Sequence, residues 1–281
     1  MARTANPPSP LGEANGLGHL IRGLSRAFGG AIVFALPVFM TMEMWELGMH
    51  MDRLRLVLLL LVNVPVLVFV SHYAGFERTF EWREDVRDAA IAYGVGIVAA
   101  AVLLTTFGVI SHDRSLDEIG GKVAIQAVPA SLGALLARST FGGNSEGRER
   151  DEHYFGELGL MAVGALFLSF NTAPTEEIVL ISYKMTVWHA AILVVFSVAL
   201  MHAFVFASAF KGGSELSPET PWWSAFIRFT VVGYVIALAI SAYVLWTFGS
   251  LEGHGFQECL MAVLVLAFPA AIGAAAARLI L

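Results

Sequence analysis

The sequence has little charge and almost no cysteine. Only 14% of its 281 residues are charged, whereas a soluble domain carries about 25%. This shortage excludes a water-soluble enzyme and a disordered protein, and the net charge of −6 argues against nucleic-acid binding. Because Cys259 is the single cysteine, an internal disulfide and a metal cluster built from cysteines are also excluded.

Apolar residues are what the chain has in abundance, and they predict a membrane protein. Hydrophobic residues make up 57% of the sequence, and the mean hydropathy is +0.71. Eight stretches each approach the roughly 20 residues that a spanning helix needs, and the fifth contains Pro174, which predicts a break. The predicted spans are Ala27–Leu47, Leu54–Ala74, Ala89–Ile110, Val123–Ser139, Leu158–Met185, Trp188–Phe210, Ala225–Gly249 and Gln257–Leu281.

The regions between these spans suggest a division of the chain. Residues 1–26 are predicted to be a cytoplasmic tail, rich in Pro, Gly and Asn, that leads into a short interfacial helix around Leu17–Arg26. A disordered tail throughout is the alternative. The tail lacks the basic-then-apolar pattern of a cleavable signal. Residues 27–141 then form a first four-span unit, residues 142–157 a cytoplasmic linker, and residues 158–281 a second four-span unit.

Basic residues predict the orientation in the membrane. With the N-terminus inside, twelve of the 17 Lys and Arg residues fall in the tail and the even-numbered loops, and five fall in the odd-numbered loops. This bias predicts an inner-membrane protein with both termini in the cytoplasm. The outer side then carries ten acids, and an acidic mouth concentrates cations; alternatively, these acids only keep the loops soluble.

The sequence repeats itself weakly. A shift of 134 positions lays Gly30–Phe76 on Gly164–Phe210 without a gap, and a shift of 140 lays Pro129–Arg138 on Pro269–Arg278. Four spans per repeat is an even number, so both halves enter the membrane in the same direction. We therefore predict an all-α integral membrane protein of eight transmembrane helices in two parallel four-helix repeats, related by an axis along the membrane normal.

A repeated Thr-x-Glu pattern is the strongest functional feature. It occurs at Thr41–Glu43 and at Thr175–Glu177, and further acids lie beside it at Glu46 and Glu176. Carboxylates within a membrane are costly unless they meet water, a cation or a partner. The four acids therefore predict a cation or proton site near the outer side, although acids at a wet interface would need no such function.

Neutral oxygens accompany these acids. Asn171, Thr172 and Pro174 suggest a locally unwound helix whose oxygens could ligate a dehydrated cation; a proline kink made for packing is the alternative. We expect Thr41, Asn171, Thr172 and Thr175 to supply these oxygens. His202, in the sixth span with apolar neighbours on both sides, is a candidate proton relay or a hydrogen-bonded packing residue.

Two further functions fit less well. The run MTMEMWELGMHM (Met40–Met51) offers thioethers and an imidazole that suit Cu(I), but alternate residues of a helix spread around it. Adjacent glutamates with a later His are similar to intramembrane CAAX-type proteases. That family needs Arg, Phe and Asn where this chain has Ile181, Val198 and Phe206. We therefore expect no enzymatic activity and no cofactor.

The segments TMEMWELG (Thr41–Gly48) and NTAPTEEI (Asn171–Ile178) resemble a bacterial family of integral membrane proteins with about eight spans, a domain of unknown function. The resemblance covers nearly the whole chain after residue 21 and implies fold and location, without a substrate. The favoured function is a cation channel or transporter; the alternative is a non-transporting scaffold or sensor. The expected partners are the lipid bilayer and a small cation, with a homo-oligomer left open.

Overall fold

Helices account for the architecture of the chain in a computed structural model, which describes residues 10–74, 82–111, 113–141, 154–209 and 222–280. No strand occurs in these ranges, which confirms the all-α prediction. The elements are α1 (Pro10–Phe39), α2 (Met42–His50), α3 (Arg53–Ala74), α4 (Trp82–Thr106), α5 (Leu116–Phe141), α6 (Tyr154–Thr172), α7 (Glu177–Lys184), α8 (Val187–Ala209), α9 (Trp222–Ala225), a π-helical segment (Phe226–Val231), α10 (Val232–Phe248) and α11 (Phe256–Ile280).

Eight of these elements are long and apolar enough to cross a membrane. They are α1, α3, α4, α5, α6, α8, the π segment continued by α10, and α11. Helices α2 and α7 have nine and eight residues, which is far short of the roughly 20 that a span needs. The prediction of eight spans is therefore confirmed, with two short helices added to them.

The two short helices divide two of the predicted spans. The prediction Ala27–Leu47 was wrong as one helix, because Pro37 lies in the last turn of α1 and Thr41 has extended backbone angles (φ −94°, ψ 115°). The prediction Leu158–Met185 is divided between α6 and α7, with the expected break at Pro174. Each interruption leaves a short helix at the end of its span.

Other helix starts also differ from the predictions. The helix predicted at Ala89–Ile110 begins at Trp82, and the one predicted at Val123–Ser139 begins at Leu116. Both extensions begin with acidic residues, which suit a helix N-terminus but lower the hydropathy from which the span was predicted. The segment Leu17–Arg26 is continuous with the first span instead of forming a separate helix. Residues 1–9 of the tail and 142–153 of the linker lie outside the described residues.

Each half of the chain is arranged around its last spanning helix. In the first half (α1–α5), α5 packs against α1, α2, α3 and α4; in the second half (α6–α11), α11 packs against α6, α7, α8 and α10. In the most apolar stretch of α5, 78% of the residues are buried, whereas in that of α8 only 17% are buried. Helix α5 is therefore the centre of the molecule, and α8 lies at its periphery.

Small residues allow the closest helix crossings. A Cβ atom on Gly30 of α1 would overlap Ala137 of α5 and lie 2.6 Å from the carbonyl oxygen of Gly133. A Cβ atom on Gly164 of α6 would overlap the carbonyl oxygen of Gly273 in α11. Such backbone contact between spans is typical of membrane helices that pack through small residues.

The two halves meet through direct contacts. Phe34 of α1 packs edge-on against Phe167 of α6, with ring centroids 5.7 Å apart. Arg55 of α3 forms an ion pair with Glu252 in the second half (Nη1–Oε1 2.6 Å) and also donates to the carbonyl oxygen of Trp246 at 3.0 Å. Apolar and charged contacts therefore both join the halves.

The short helices share one side of the molecule. Because the chain reverses direction at every span, α2 follows the first span and α7 follows the fifth on the same side. The loops between α4 and α5 and between α10 and α11 lie there too. Contacts agree with this, since Gly48 of α2 packs against the backbone of Lys122 in α5 and α7 packs against α11. We refer to this as the α2/α7 side, and to the opposite one as the tail side.

Candidate functional site

The four predicted acids all lie on the α2/α7 side. Glu43 is half-buried in the first turn of α2, and Glu46 is exposed one turn further on. Glu176 directly precedes α7 and Glu177 lies in its first turn, and both are exposed. Carboxylates in a first turn also interact favourably with the positive end of the helix dipole, so these positions are compatible with a purely structural role as well.

The four acids do not gather into one chelating cluster. Within the described part of the chain, no three His, Cys, Asp or Glu side chains come close enough to hold a metal ion. None of the four acids forms an ion pair with a described residue, although other acids on this side do. An ion at this surface would therefore meet one or two carboxylates at a time, together with neutral oxygens.

The predicted threonines lie at the two helix interruptions. Thr41 donates through Oγ1 to the carbonyl oxygen of Pro37 at 2.5 Å. Thr175 donates to the carbonyl oxygen of Thr172 at 2.9 Å, and Thr172 donates to that of Leu168 at 2.6 Å. A hydroxyl that donates its hydrogen keeps two lone pairs, so all three oxygens can still act as ligands.

Asn171 stands out among the predicted ligands. Its Nδ2 donates to the carbonyl oxygen of Phe167 at 2.8 Å, while its Oδ1 is buried and has no hydrogen-bond partner among the described residues. Buried polar atoms without a partner are rare and call for an explanation. This one lies at the end of α6, a few residues before Glu176 and Glu177.

More polar atoms of this kind lie inside the spans. Gln126 of α5 is fully buried, and neither atom of its amide group has a hydrogen-bond partner in the described residues. The hydroxyls of Ser169 in α6 and of Ser241 in α10 are also buried without a hydrogen-bond partner in the described residues. Because α6 packs against both α5 and α10, the interior of the molecule holds several oxygens that are free to accept a hydrogen bond or bind a cation.

His202 lies near the tail side, at the contact between α8 and the π segment. Its Nδ1 is 3.0 Å from Oγ1 of Thr230, which is fully buried, and its ring packs edge-on against Phe226 at 5.1 Å. These contacts are those of a hydrogen-bonded packing residue. A π-helical turn is often found at functional sites, and a proton relay through His202 stays a prediction.

A polar pair that the sequence did not reveal lies at the same side. His72 of α3 is within 3.0 Å of Asp85 in α4 (Nδ1–Oδ2). The Asp85 side chain is only 3% exposed, whereas that of His72 is 55% exposed. Asp85 lies before the span that hydropathy predicts, Ala89–Ile110, and inside the observed helix α4. The sequence signal that could have identified it is an acidic residue shortly before an apolar run, because Asp and Glu are favoured in the first turn of a helix.

The methionines at the end of the first span do not converge. Met44 and Met51 are buried in the core, whereas Met40 and Met42 are exposed. Cu(I) binding needs soft ligands that point to one place, and these four side chains differ widely in their surroundings.

Comparison with known proteins supports an integral membrane protein. No curated protein and no solved structure matches this chain. Residues 23–281 match the sequence model of a family described as "Putative integral membrane protein (DUF2391)", which agrees with the eight spans and with the resemblance noted above. The match covers nearly the whole chain, and the chain therefore belongs to this family of integral membrane proteins.

Proposed function

We propose that the protein moves a small cation across the bacterial inner membrane, with the α2/α7 side facing outward and both termini in the cytoplasm. The observation that carries the proposal is the buried Oδ1 of Asn171, which has no hydrogen-bond partner among the described residues and is followed by Glu176 and Glu177. An acceptor without a donor in a low-dielectric interior costs about 1–3 kcal/mol. A cation needs such acceptors and offsets that cost.

The pairing of acids on the α2/α7 side supports the same proposal. Asp117, Glu118 and Glu252 each lie 2.6 Å from a basic side chain, those of Arg53, Lys122 and Arg55 respectively. The four acids of α2 and α7 have no such basic partner among the described residues. Uncompensated negative charge attracts cations to the surface that carries it, so the acids would raise the cation concentration at the two helix interruptions.

The two halves are, in this proposal, parallel repeats. Gly30 and Gly164 are related by the shift of 134, and their partners Gly133 and Gly273 are related by the shift of 140. Both pairs lie at the crossing of the first and last spans of a half. A pseudo-twofold axis along the membrane normal would then place Glu43 and Glu177 at equal depth.

A flux assay on purified protein in liposomes tests this function. The assay screens H⁺, Na⁺, K⁺, Ca²⁺ and Mg²⁺ at fixed ionic strength. We expect Glu177→Gln and Glu43→Gln each to reduce flux by about five- to 150-fold, because a ligand lost from a desolvated site costs about 1–3 kcal/mol.

The matched control is Asp113→Asn, which removes an exposed acid of the loop between α4 and α5. Its flux should stay close to that of the parent, since an exposed charge contributes less than about 1 kcal/mol. If the parent moves none of the ions, or if all three variants equal the parent, the non-transporting scaffold or sensor replaces the transporter.

A further inference from the structure

Several arginines on the tail side have no acidic partner. On the α2/α7 side, all Lys and Arg residues except Lys184 form an ion pair with an acid; these are Arg53, Arg55, Arg114 and Lys122. On the tail side, a group of exposed arginines has no acid within ion-pair distance among the described residues. They are Arg22, Arg26, Arg83 and Arg228. Unbalanced positive charge attracts anions to the surface that carries it.

These arginines all lie at the starts of spans. The spans concerned are Ile21–Phe39, Trp82–Thr106 and Phe226–Phe248. Span ends lie at the level of the lipid headgroups, where a guanidinium group is costly unless it reaches water or meets an anion. The anion that surrounds a membrane protein at this depth is the phosphate group of a phospholipid.

Arg228 has a counterpart in the first half that lies beside an acid. A shift of 141 positions lays Arg87 on Arg228 and Asp88 on Phe229. Nε of Arg87 is 3.8 Å from Oδ1 of Asp88, whereas Phe229 is apolar and buried. The second half therefore keeps the arginine and lacks the acid next to it.

Contacts on the inner face of the π segment fix the position of Arg228. The hydroxyl of Tyr154 donates to the carbonyl oxygen of Arg228 at 3.0 Å, and its ring packs against that of Phe229 with the centroids 5.7 Å apart. Thr230 is fully buried. Because the two residues after Arg228 point inward, Arg228 and Ile227 lie on the outer face, where both are exposed. A π-helical turn is often found at functional sites.

Apolar residues continue this exposed face into the membrane. Val231 and Val235 lie one turn apart on the same side of the helix, and both are exposed. Exposed aromatic residues lie near the start of the segment, with Trp223 just before it and Phe155 directly after Tyr154. Aromatic residues of this kind are enriched at headgroup level. The surface thus presents a cation at headgroup depth and apolar side chains below it, which matches the order of groups in a phospholipid.

We propose that Arg228 binds the phosphate group of an anionic phospholipid in the tail-side leaflet, with an acyl chain of this lipid along Val231 and Val235. A guanidinium group can donate two parallel hydrogen bonds to phosphate oxygens. A zwitterionic phospholipid carries an ammonium group that offsets its own phosphate charge, whereas phosphatidylglycerol brings one net negative charge. This charge balances the single charge of Arg228, so the site selects anionic lipids.

This inference does not rest on the proposed transport. It concerns the lipid-facing surface of the π segment on the tail side, whereas the proposed transport depends on the four acids of the α2/α7 side. A measurement of lipid binding that involves no flux therefore separates the two, and either proposal can fail while the other stands.

The test is thermal unfolding of the full chain in a non-ionic detergent, with phosphatidylglycerol or phosphatidylcholine of the same acyl chains added at fixed ionic strength. We expect phosphatidylglycerol to raise the Tm of the parent by about 2–4 °C more than phosphatidylcholine does, because a ligand of the folded state stabilises it. Most of this preference should be lost in Arg228→Gln, which removes the charge.

The control variant is Arg87→Gln, which removes the counterpart arginine on the same side and should keep the preference, because Asp88 lies beside that arginine. Should Arg228→Gln fail to fold, Ser224→Asp decides the question. It retains Arg228 and places a carboxylate about one turn before it, so most of the preference should again be lost. A parent that responds equally to both lipids overturns the proposal, as does a preference that persists unreduced in the tested variant or falls equally in Arg87→Gln.

Discussion

In both halves of the molecule the first and last spans cross at a pair of glycines, but the polar contacts near the tail side differ. In the first half His72 of α3 meets the carboxylate of Asp85 in α4. In the second half His202 of α8 meets the neutral hydroxyl of Thr230 in a π-helical segment. A contact with a carboxylate and a contact with a hydroxyl thus join the second and third spans of the two halves.

This difference shows which parts of the halves are interchangeable. Backbone contact at a crossing depends on the absence of side chains, so any two helices with glycines in the right places can make it. A polar contact depends on the identity of both partners and on the burial of each. The halves can therefore share their packing and still perform different tasks at the same depth.

The largest expected effect comes from filling a crossing. Gly30→Ala and Gly164→Ala should each destabilise the protein by about 2–3 kcal/mol, because the new Cβ atom overlaps the facing helix. Thermal unfolding in detergent measures the loss. Gly29→Ala is the matched control, since a Cβ atom at Gly29 meets nothing within 4 Å and should be tolerated. If one crossing accepts alanine and the other does not, the halves pack differently.

A smaller effect should distinguish the two histidines. His72→Ala removes a partner from the buried Asp85 carboxylate and should cost about 1–2 kcal/mol, reduced from the usual value for a charged group because His72 is half exposed. His202→Ala breaks a hydrogen bond with the hydroxyl of Thr230 and should cost about 0.5–1 kcal/mol. Equal losses in urea or thermal unfolding would remove the distinction between a contact with a carboxylate and a contact with a hydroxyl.

The contact between the halves should contribute less than the contact of His72 with Asp85 but should be detectable. Arg55→Ala removes an ion pair with Glu252 and the packing of the guanidinium over the Trp246 ring, 5.0 Å from its centroid, and should cost about 1 kcal/mol. Arg53→Ala breaks a more exposed pair with Asp117 inside the first half and should cost about 0.5 kcal/mol or less. If Arg53→Ala costs more stability than Arg55→Ala, then Arg55 does not stabilise the contact between the halves.

The smallest expected effect on folding is at the four acids. Glu43→Gln and Glu177→Gln should change stability by about 0.5 kcal/mol or less, because the loss is limited to a first-turn interaction with the helix dipole. Thermal unfolding alongside the flux assay checks this. A large loss of stability in either variant would mean that the acid has a structural partner, and a change in flux would then no longer report on ion binding.

The sequence predicted several elements well, and the reasons for the misses are specific. The spans around Leu54–Ala74 and Trp188–Phe210 agree with α3 and α8 to within one residue, because glycines and charged residues follow their apolar runs in the sequence. The break at Pro174 was expected, whereas the end of α1 at Phe39 falls inside the single predicted span Ala27–Leu47, since Pro37 alone does not end a helix in apolar sequence. The starts of α4 and α5 were missed because their acidic residues lower the local hydropathy.

The candidate site was only partly visible in the sequence. The positions of the four acids on one side followed from counting spans, because each span reverses the chain. The unpartnered Oδ1 of Asn171 and the ion pair of Lys122 with Glu118 required the structure. The spacing of four residues between Glu118 and Lys122 was a usable signal for the latter.

The sequence by itself determined that this chain is an integral membrane protein, that it has eight helical spans, and where its acids fall relative to them. These properties follow from local composition, because twenty apolar residues have no other solvent than lipid. Only the tertiary structure decided which polar groups meet. Contacts between distant helices depend on how the helices pack, as in the pairs His72–Asp85 and Arg55–Glu252. Packing distances of a few ångströms cannot be predicted from any single segment of the chain.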